Sequence, residues 1–430
     1  MQIGRSFRTR VFSRWAAAAT RRSPPVTALP EDPRVRELVR LARTRTVSRR
    51  TVLAGATAGA AALALAACAP FRSISDKPTA AKDHSATVKS MIWANWPLYL
   101  DEDSAKHYPT LEAFEKQTGI RVAYDTVVND NDSYYAGVKE RLALGKDISA
   151  DTVCLTDWMV SQWIELGYTQ KLDHSKIPNL ANLTPKLRKP DFDPGRNYSV
   201  PWQSGFTGLC WNRDEVPGGL SQVSDLWAPA LKGKVSAVSE WRDTVGLVMM
   251  EHGVDISSKS WGDAQFNAAI KEITKHIHDG QFYDIQGNSY VDDLKNGKTV
   301  AGIVWSGDVE GLNAEVGGDK FAFAIPETGG TLWSDNFMIP IGSEEKSNAE
   351  ELINFYYEPE IAAKVAAYVN YITPVEGAKE AMAKIDPTLV DDQLIFPNEE
   401  TLAKVRIFRT LTQQEQTRYS TTFQGMLLGA

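Results

Sequence analysis

Five stretches of the chain place a tryptophan beside polar or charged side chains. Asn95-Trp-Pro-Leu-Tyr99 carries Trp96 and Tyr99, Leu155-Thr-Asp-Trp158 carries Thr156 and Trp158, and Ser239-Glu-Trp-Arg-Asp-Thr244 carries Glu240, Trp241 and Asp243. Gly302-Ile-Val-Trp-Ser-Gly307 carries Trp305, and Thr331-Leu-Trp-Ser-Asp-Asn336 carries Trp333 and Asp335. Taken singly, such a tryptophan is a core plug, and Thr156 or Asp157 is the cap of a following helix. Taken together, they make a box with aromatic walls and acidic ends. That box suits a flexible organic cation: carboxylates accept charge-assisted hydrogen bonds from ammonium groups, while ring faces cover methylenes and attract charge.

The usual apparatus of catalysis is missing from the sequence. It has no G-x-S-x-G elbow, no P-loop and no H-E-x-x-H. His276 and His278 stand two apart on a helical pattern and point in different directions. The tyrosine pairs Tyr134-Tyr135 and Tyr356-Tyr357 lie within helical patterns and read as packing residues. No cofactor, metal site or catalytic residue is expected, so the protein reads as a binder and not an enzyme. The alternative from another class is a secreted hydrolase using Glu240 and Asp243 as paired acids; a surface adhesion module is a third.

The elements that must position the aromatic stations alternate between strand and helix. Lys89–Ala94 reads as a strand, Thr110–Thr118 as a helix ended by Gly119, Ile120–Val127 as a strand and Asp132–Leu144 as a helix closed by Gly145. A strand around Cys154 precedes a helix from Asp157 to Leu166. Later come a strand at Lys234–Val238, helices at Arg242–Glu251 and Trp261–His278, and an apolar strand at Thr299–Trp305. Helices follow at Ala349–Tyr357, Glu360–Val369 and near the C-terminus, and Asp293 reads as an exposed helical acid. Repeated units of this kind imply a mostly parallel sheet covered by helices. Two α/β lobes with a cleft between them are the simplest arrangement for this length.

Residues 1–67 carry 13 Arg against 3 acidic residues, a net charge of +10; with −7 for the whole chain, the remainder stands at −17. So acidic a surface repels phosphate backbones and argues against nucleic acid, while it attracts a cation. The run Thr51–Ala67 is apolar but short and Ala-rich, too weak for a comfortable membrane span. Arg49-Arg50 before it and Leu65-Ala-Ala-Cys68 after it look like a twin-arginine signal and a lipobox, with Cys68 lipidated. Residues 1–47 form an unusually long basic lead-in, with no methionine between Met1 and Met91. Residues 68–88 then read as a lipidated cysteine and flexible tether. Cys154 and Cys210 either pair in a disulfide or stay as two buried thiols.

The chain also resembles the spermidine/putrescine-binding proteins of bacterial polyamine ABC importers, with the type II periplasmic binding fold. Asn95-Trp-Pro-Leu-Tyr99, Phe192-Asp-Pro194 with Tyr198-Ser-Val-Pro201, Gly302-Ile-Val-Trp305, Leu332-Trp-Ser-Asp335 with Ile339-Pro340, Leu352-Ile-Asn-Phe355 and Tyr371-Ile-Thr-Pro374 carry the likeness. The resemblance implies ligand aromatics at Trp96, Tyr99, Trp158, Trp305, Trp333 and Tyr371, a hydroxyl contact at Thr156, and carboxylates at Glu240, Asp243 and Asp335. At Glu240 and Asp243 the family has Asp and Glu, so charge is kept and moved by a methylene. Near Phe408 a family polar contact is replaced. The implied lobes are 89–208 with 335–378, and 209–334 with 379–430. The implied protein is a monomer anchored by lipid outside the cell membrane, which captures a polyamine, or another small organic cation, and passes it to an ABC permease.

Overall fold

The computed structural model describes residues 77–429; Arg49, Arg50 and Cys68, with the signal they were expected to form, lie outside the described residues. The first units are β1 (Ser90–Ala94), α1 (Pro109–Thr118), β2 (Arg121–Asp125), α2 (Asn131–Ala143), β3 (Thr152–Thr156) and α3 (Asp157–Leu166). A long strand β4 (Val200–Asn212) follows. Then come β5 (Val235–Val238), α4 (Trp241–Glu251), α5 (Asp263–His278), β6 (Phe282–Gln286), α6 (Tyr290–Lys295), β7 (Ala301–Trp305) and α7 (Ser306–Val316). β8 (Phe321–Ala324) and β9 (Gly330–Met338) lead to α8 (Lys346–Tyr356), α9 (Pro359–Val369), α10 (Ala378–Ile385), α11 (Glu399–Ala403), β10 (Val405–Arg406) and α12 (Gln413–Leu427).

The helix limits have local causes. Pro109 opens α1, where its missing N–H costs nothing, and Gly119 closes it at φ 73 with its N–H on Glu115 O. The Asp130 carboxylate caps α2 by accepting from Ser133 N. α3 starts at Asp157 without a side-chain cap bond, which leaves the Thr156 hydroxyl for another partner.

The ten strands form one sheet in the order β2-β1-β3-β9-β4-β7-β5-β6, with β8 on β4 and β10 on β9. It is mixed, which corrects the mostly parallel expectation. β2, β1 and β3 are parallel, as are β7, β5 and β6, but β4 and β9 stand between the trios and pair antiparallel with each other and with β3 and β7. β9 reads poorly as a strand because Trp333, Ser334 and Asp335 interrupt its apolar run, yet these side chains serve the site. β3 and β7 are buried along their whole length, as strands covered on both faces must be.

Trp93 centres the core beneath β1, with Tyr124, Trp202, Phe337 and Tyr356 at ring centroid distances of 5.0 to 5.4 Å. Tyr357, buried, donates its hydroxyl to Pro201 O at 2.6 Å, so the second tyrosine pair is core. The Asp193 carboxylate accepts from Asn197 N, Tyr198 N and Ser199 N, knotting the loop before β4. Arg196 from that knot donates to Asn336 Oδ1 at 2.8 Å, tying it to β9. The motif around Phe192 and Tyr198 is thus a scaffold for the two central strands.

Two expectations change, and one of two open alternatives is resolved. The stretch read as a tether to Val88 is docked from Ala81 onward: Ala81 N donates to Ile341 O, His84 N to Glu344 O, and Ser85 is buried with its Oγ accepting from Asn348 N. Asp293 is buried, not exposed, because Gln286 Nε2 and Lys298 Nζ both donate to its carboxylate at 2.6 Å. Cys154 and Cys210 are separate, buried free thiols. Among the described residues no helix is long and apolar enough to cross a membrane.

β7 approaches β5 closely at Gly302, where an added Cβ would stand 2.5 Å from Ser236 O. Gly302→Ala is expected to lower stability by about 1–3 kcal/mol through overpacking, measured as a shift in urea midpoint at unchanged slope.

Candidate functional site

The strand ends converge on one cleft that encloses about 640 Å³ of empty space, part of it open to solvent. All ten residues singled out in the sequence line it: Trp96, Tyr99, Thr156, Trp158, Glu240, Asp243, Trp305, Trp333, Asp335 and Tyr371. Thr156 ends β3, Glu240 precedes α4, Trp305 ends β7, and Trp333 and Asp335 lie within β9. Trp241, which looked like the other stations, is instead buried behind the cleft against Phe266, Phe408 and Tyr419.

Five rings form a belt of edge contacts. Trp96 meets Trp305 at 5.9 Å, Trp305 meets Trp333 at 6.4 Å, Trp333 meets Tyr371 at 5.2 Å and Tyr371 meets Tyr99 at 5.5 Å. Trp96 Nε1 donates to Cys154 O, and Tyr99 donates its hydroxyl to Asp335 Oδ2 at 3.0 Å. The belt closes tightly at glycine: a Cβ on Gly205 would lie 2.5 Å from Trp333 and 2.8 Å from Tyr371. Small residues there are what let the rings reach the sheet.

The carboxylates divide by how their oxygens are used. Asp243 accepts from Trp305 Nε1 at 2.9 Å and Thr331 Oγ1 at 2.5 Å, so it orients an indole. Glu240 Oε2 accepts from Asn131 Nδ2 at 2.8 Å. Both oxygens of Asp243 and one of Glu240 are therefore taken by protein donors. Asp335 Oδ1, by contrast, is buried without a partner. Desolvation by burial pushes Asp335 up to about 7 and Asp157 up to about 6, and raises Glu240 and Asp243 as well; the nearby Thr156 hydroxyl and the bond from Tyr99 hold Asp335 back in part.

Asp308 and Arg242 in the cleft, and Asn131 beside it, escaped the sequence reading. Asp308 accepts from Tyr290 and Tyr371 hydroxyls at 2.6 and 2.9 Å and from Asn288 Nδ2 at 3.2 Å, fixing the Tyr371 ring. It stands three residues past Trp305, near enough to have been found by extending that motif. Arg242 lies inside a quoted stretch, but a search for acids around a cation passes over a base. Its guanidinium stands 3.6 Å from the Trp158 ring centroid, so the protein's own cation lies over that indole. Asn131 left no signal at all. Its amide bridges Thr156 Oγ1 and Glu240 Oε2 at 2.8 Å each, 25 and 109 residues away, and its Oδ1 accepts from Thr156 N. Phe408 lines the cleft with its ring edge against Trp241 and Trp261.

Removing the Asn131 bridge leaves buried polar atoms on two separate elements unpaired. Asn131→Ala is expected to destabilise the protein by about 1–3 kcal/mol, and Asn131→Asp to cost more at pH 8 than at pH 5, because a second carboxylate would then face Glu240; denaturation at both pH values reads this. The raised Asp335 has its own signature. Between its ordinary 3.8 and about 7 the folded protein holds a proton that the unfolded chain has lost, so this group's contribution to stability falls as pH rises through that window. Asp335→Asn should flatten that part of the stability–pH curve; an unchanged curve would contradict the assignment.

The family model for bacterial extracellular solute-binding proteins matches residues 110–396, and the chain belongs to that family. The spermidine/putrescine-binding periplasmic protein of Salmonella typhimurium is 29% identical over 324 residues, covering 75% of this chain and 87% of that protein. The spermidine/putrescine ABC transporter substrate-binding protein PotD of Streptococcus pneumoniae superposes with a TM-score of 0.63 at 24% identity, over 79% of this chain and 99% of that one. AgtB of A. tumefaciens, bound to agropinic acid, superposes at 0.62 with 18% identity, over 79% and 98%. The α/β architecture is that of type II periplasmic binding proteins, a fold whose ligand is set by its side chains.

Proposed function

We propose that this family member is an exported, lipid-anchored protein that captures a polyamine of the putrescine/spermidine class and delivers it to an ABC permease. The observation that supports the ligand class is the belt of five rings closed by the unpartnered oxygen of buried Asp335. Rings without acids would suit a neutral ligand, and acids without rings would suit a metal; the two together suit an alkyl chain ending in ammonium. The curated relatives bear names of that ligand class. Another small organic cation fits the same observation and is the second reading.

Capture works by lobe closure. The lobes are 89–208 with 335–378 and 209–334 with 379–430, and β4 and β9 cross between them. Thr156 stands in the first and Glu240 in the second, so Asn131 joins the lobes across the cleft and favours the closed form. An ammonium entering beside Asp335 replaces its proton, since the ionised carboxylate is what the cation stabilises.

Putrescine or spermidine at about 100 times its dissociation constant should add roughly 2.7 kcal/mol of stability, visible as a thermal shift that anionic metabolites do not give. No shift with any polyamine would sink the reading. Asp335→Asn should weaken binding by about 2–5 kcal/mol and Trp333→Leu by about 0.5–2 kcal/mol. Glu380→Gln, at an exposed site on α10, should change little. Affinity should rise with pH between about 5.5 and 8 as Asp335 ionises, and the slope should vanish in Asp335→Asn.

A further inference from the structure

The cleft holds more unanswered donors than acceptors. Among its lining residues, Trp158 Nε1, Trp333 Nε1, Arg242 Nε and Arg242 Nη1 are buried donors without a partner, against two acceptors, Asp335 Oδ1 and Asn288 Oδ1. A ligand whose polar groups are all ammonium supplies donors only. It answers the two acceptors and leaves the four buried donors without a partner, and each unmade bond is costly.

Arg242 is the centre of this surplus. It is 5% exposed, its guanidinium lies over the Trp158 and Trp241 rings at 3.6 and 4.3 Å, and Nη2 donates to Gln416 Oε1. It makes no ion pair among the described residues. It forms, with Trp158, a wall shared between the cleft and a smaller cavity of about 330 Å³. Burial lowers it only to about 10, so it stays charged at neutral pH. Asp132, Asp157, Glu240 and Asp243 lie close enough to act on that charge, and they would repel a carboxylate brought to it. The acceptor that suits this end is a neutral oxygen.

We propose that Arg242 makes one end of the cleft an acceptor-binding end, so that the preferred ligand is a diamine acylated at one nitrogen: the free ammonium meets Asp335, and the amide oxygen takes a donor from Arg242. The proposal rests on the amine-binding reading above and names which amine.

Titration calorimetry on the full chain with N-acetylputrescine, n-heptylamine and putrescine separates the two. Heptylamine matches the length of N-acetylputrescine and lacks the amide. N-acetylputrescine is expected to bind at least about 10-fold more tightly than heptylamine, and in Arg242→Met the advantage should shrink to within about 3-fold. Equal affinities in the unaltered protein overturn the acceptor end without any variant, as does an advantage that survives Arg242→Met. Tight putrescine binding with no gain for the acetylated form overturns this proposal and leaves the polyamine reading standing. No binding of any of the three overturns both.

Discussion

Five carboxyl groups, Asp157, Glu240, Asp243, Asp308 and Asp335, share a cleft with a single guanidinium, and keeping that much like charge away from water is the constraint the structure is arranged around. Part of the cost is met by donors: Asn131, Trp305, Thr331, Tyr290, Tyr371 and Asn288 all bond to these acids. Another part is met by the backbone. Asp157, Asp243 and Asp308 each stand in the first turn of a helix, where the free N–H groups and the helix dipole favour negative charge. Asp335, on a strand, has no such help; Tyr99 donates to its Oδ2, and its Oδ1 is buried without a partner.

The central strands make this possible. Because β4 and β9 are antiparallel to the trios they join, the C-terminal ends of β3 and β7 are brought to the same region from opposite directions. The register sets Asp335 opposite Thr156 on one side and Gln203 on the other. Thr207 of β4 pairs with both Trp305 and Thr331. A one-residue slip of β9 would turn Asp335 away and swing Trp333 out of the belt. Fold and site are therefore specified by the same pairings.

Much of this was legible in the sequence because the site is built from local signatures. A strand followed at once by a tryptophan and an acid marks Trp305, Trp158 and Glu240 wherever the chain places them, and the helices closed by Gly119 and Gly167 were found within a residue or two. What was not legible depends on partners distant in sequence. Asn131 looks like any residue at a helix start until Glu240 arrives beside it. Trp241 and Trp305 look alike, yet one is sealed beneath Arg242 and the other faces the cleft. Asp293 reads as a solvated helical acid because its partner Gln286 belongs to another element. Residues 81–88 read as a tether because their composition is polar, and only the backbone groups of Ile341 and Glu344 reveal an address for them.

The two thiols carry a consequence of another kind. Cys154 and Cys210 are fully enclosed, and burial raises both well above the ordinary thiol range, so neither is a ready thiolate nucleophile. The body they sit in is held by strand pairing and aromatic packing, with no crosslink between them to form or break. In the folded body, reductant has no bond between these two cysteines to break, and oxidant has no exposed thiolate at either position to attack.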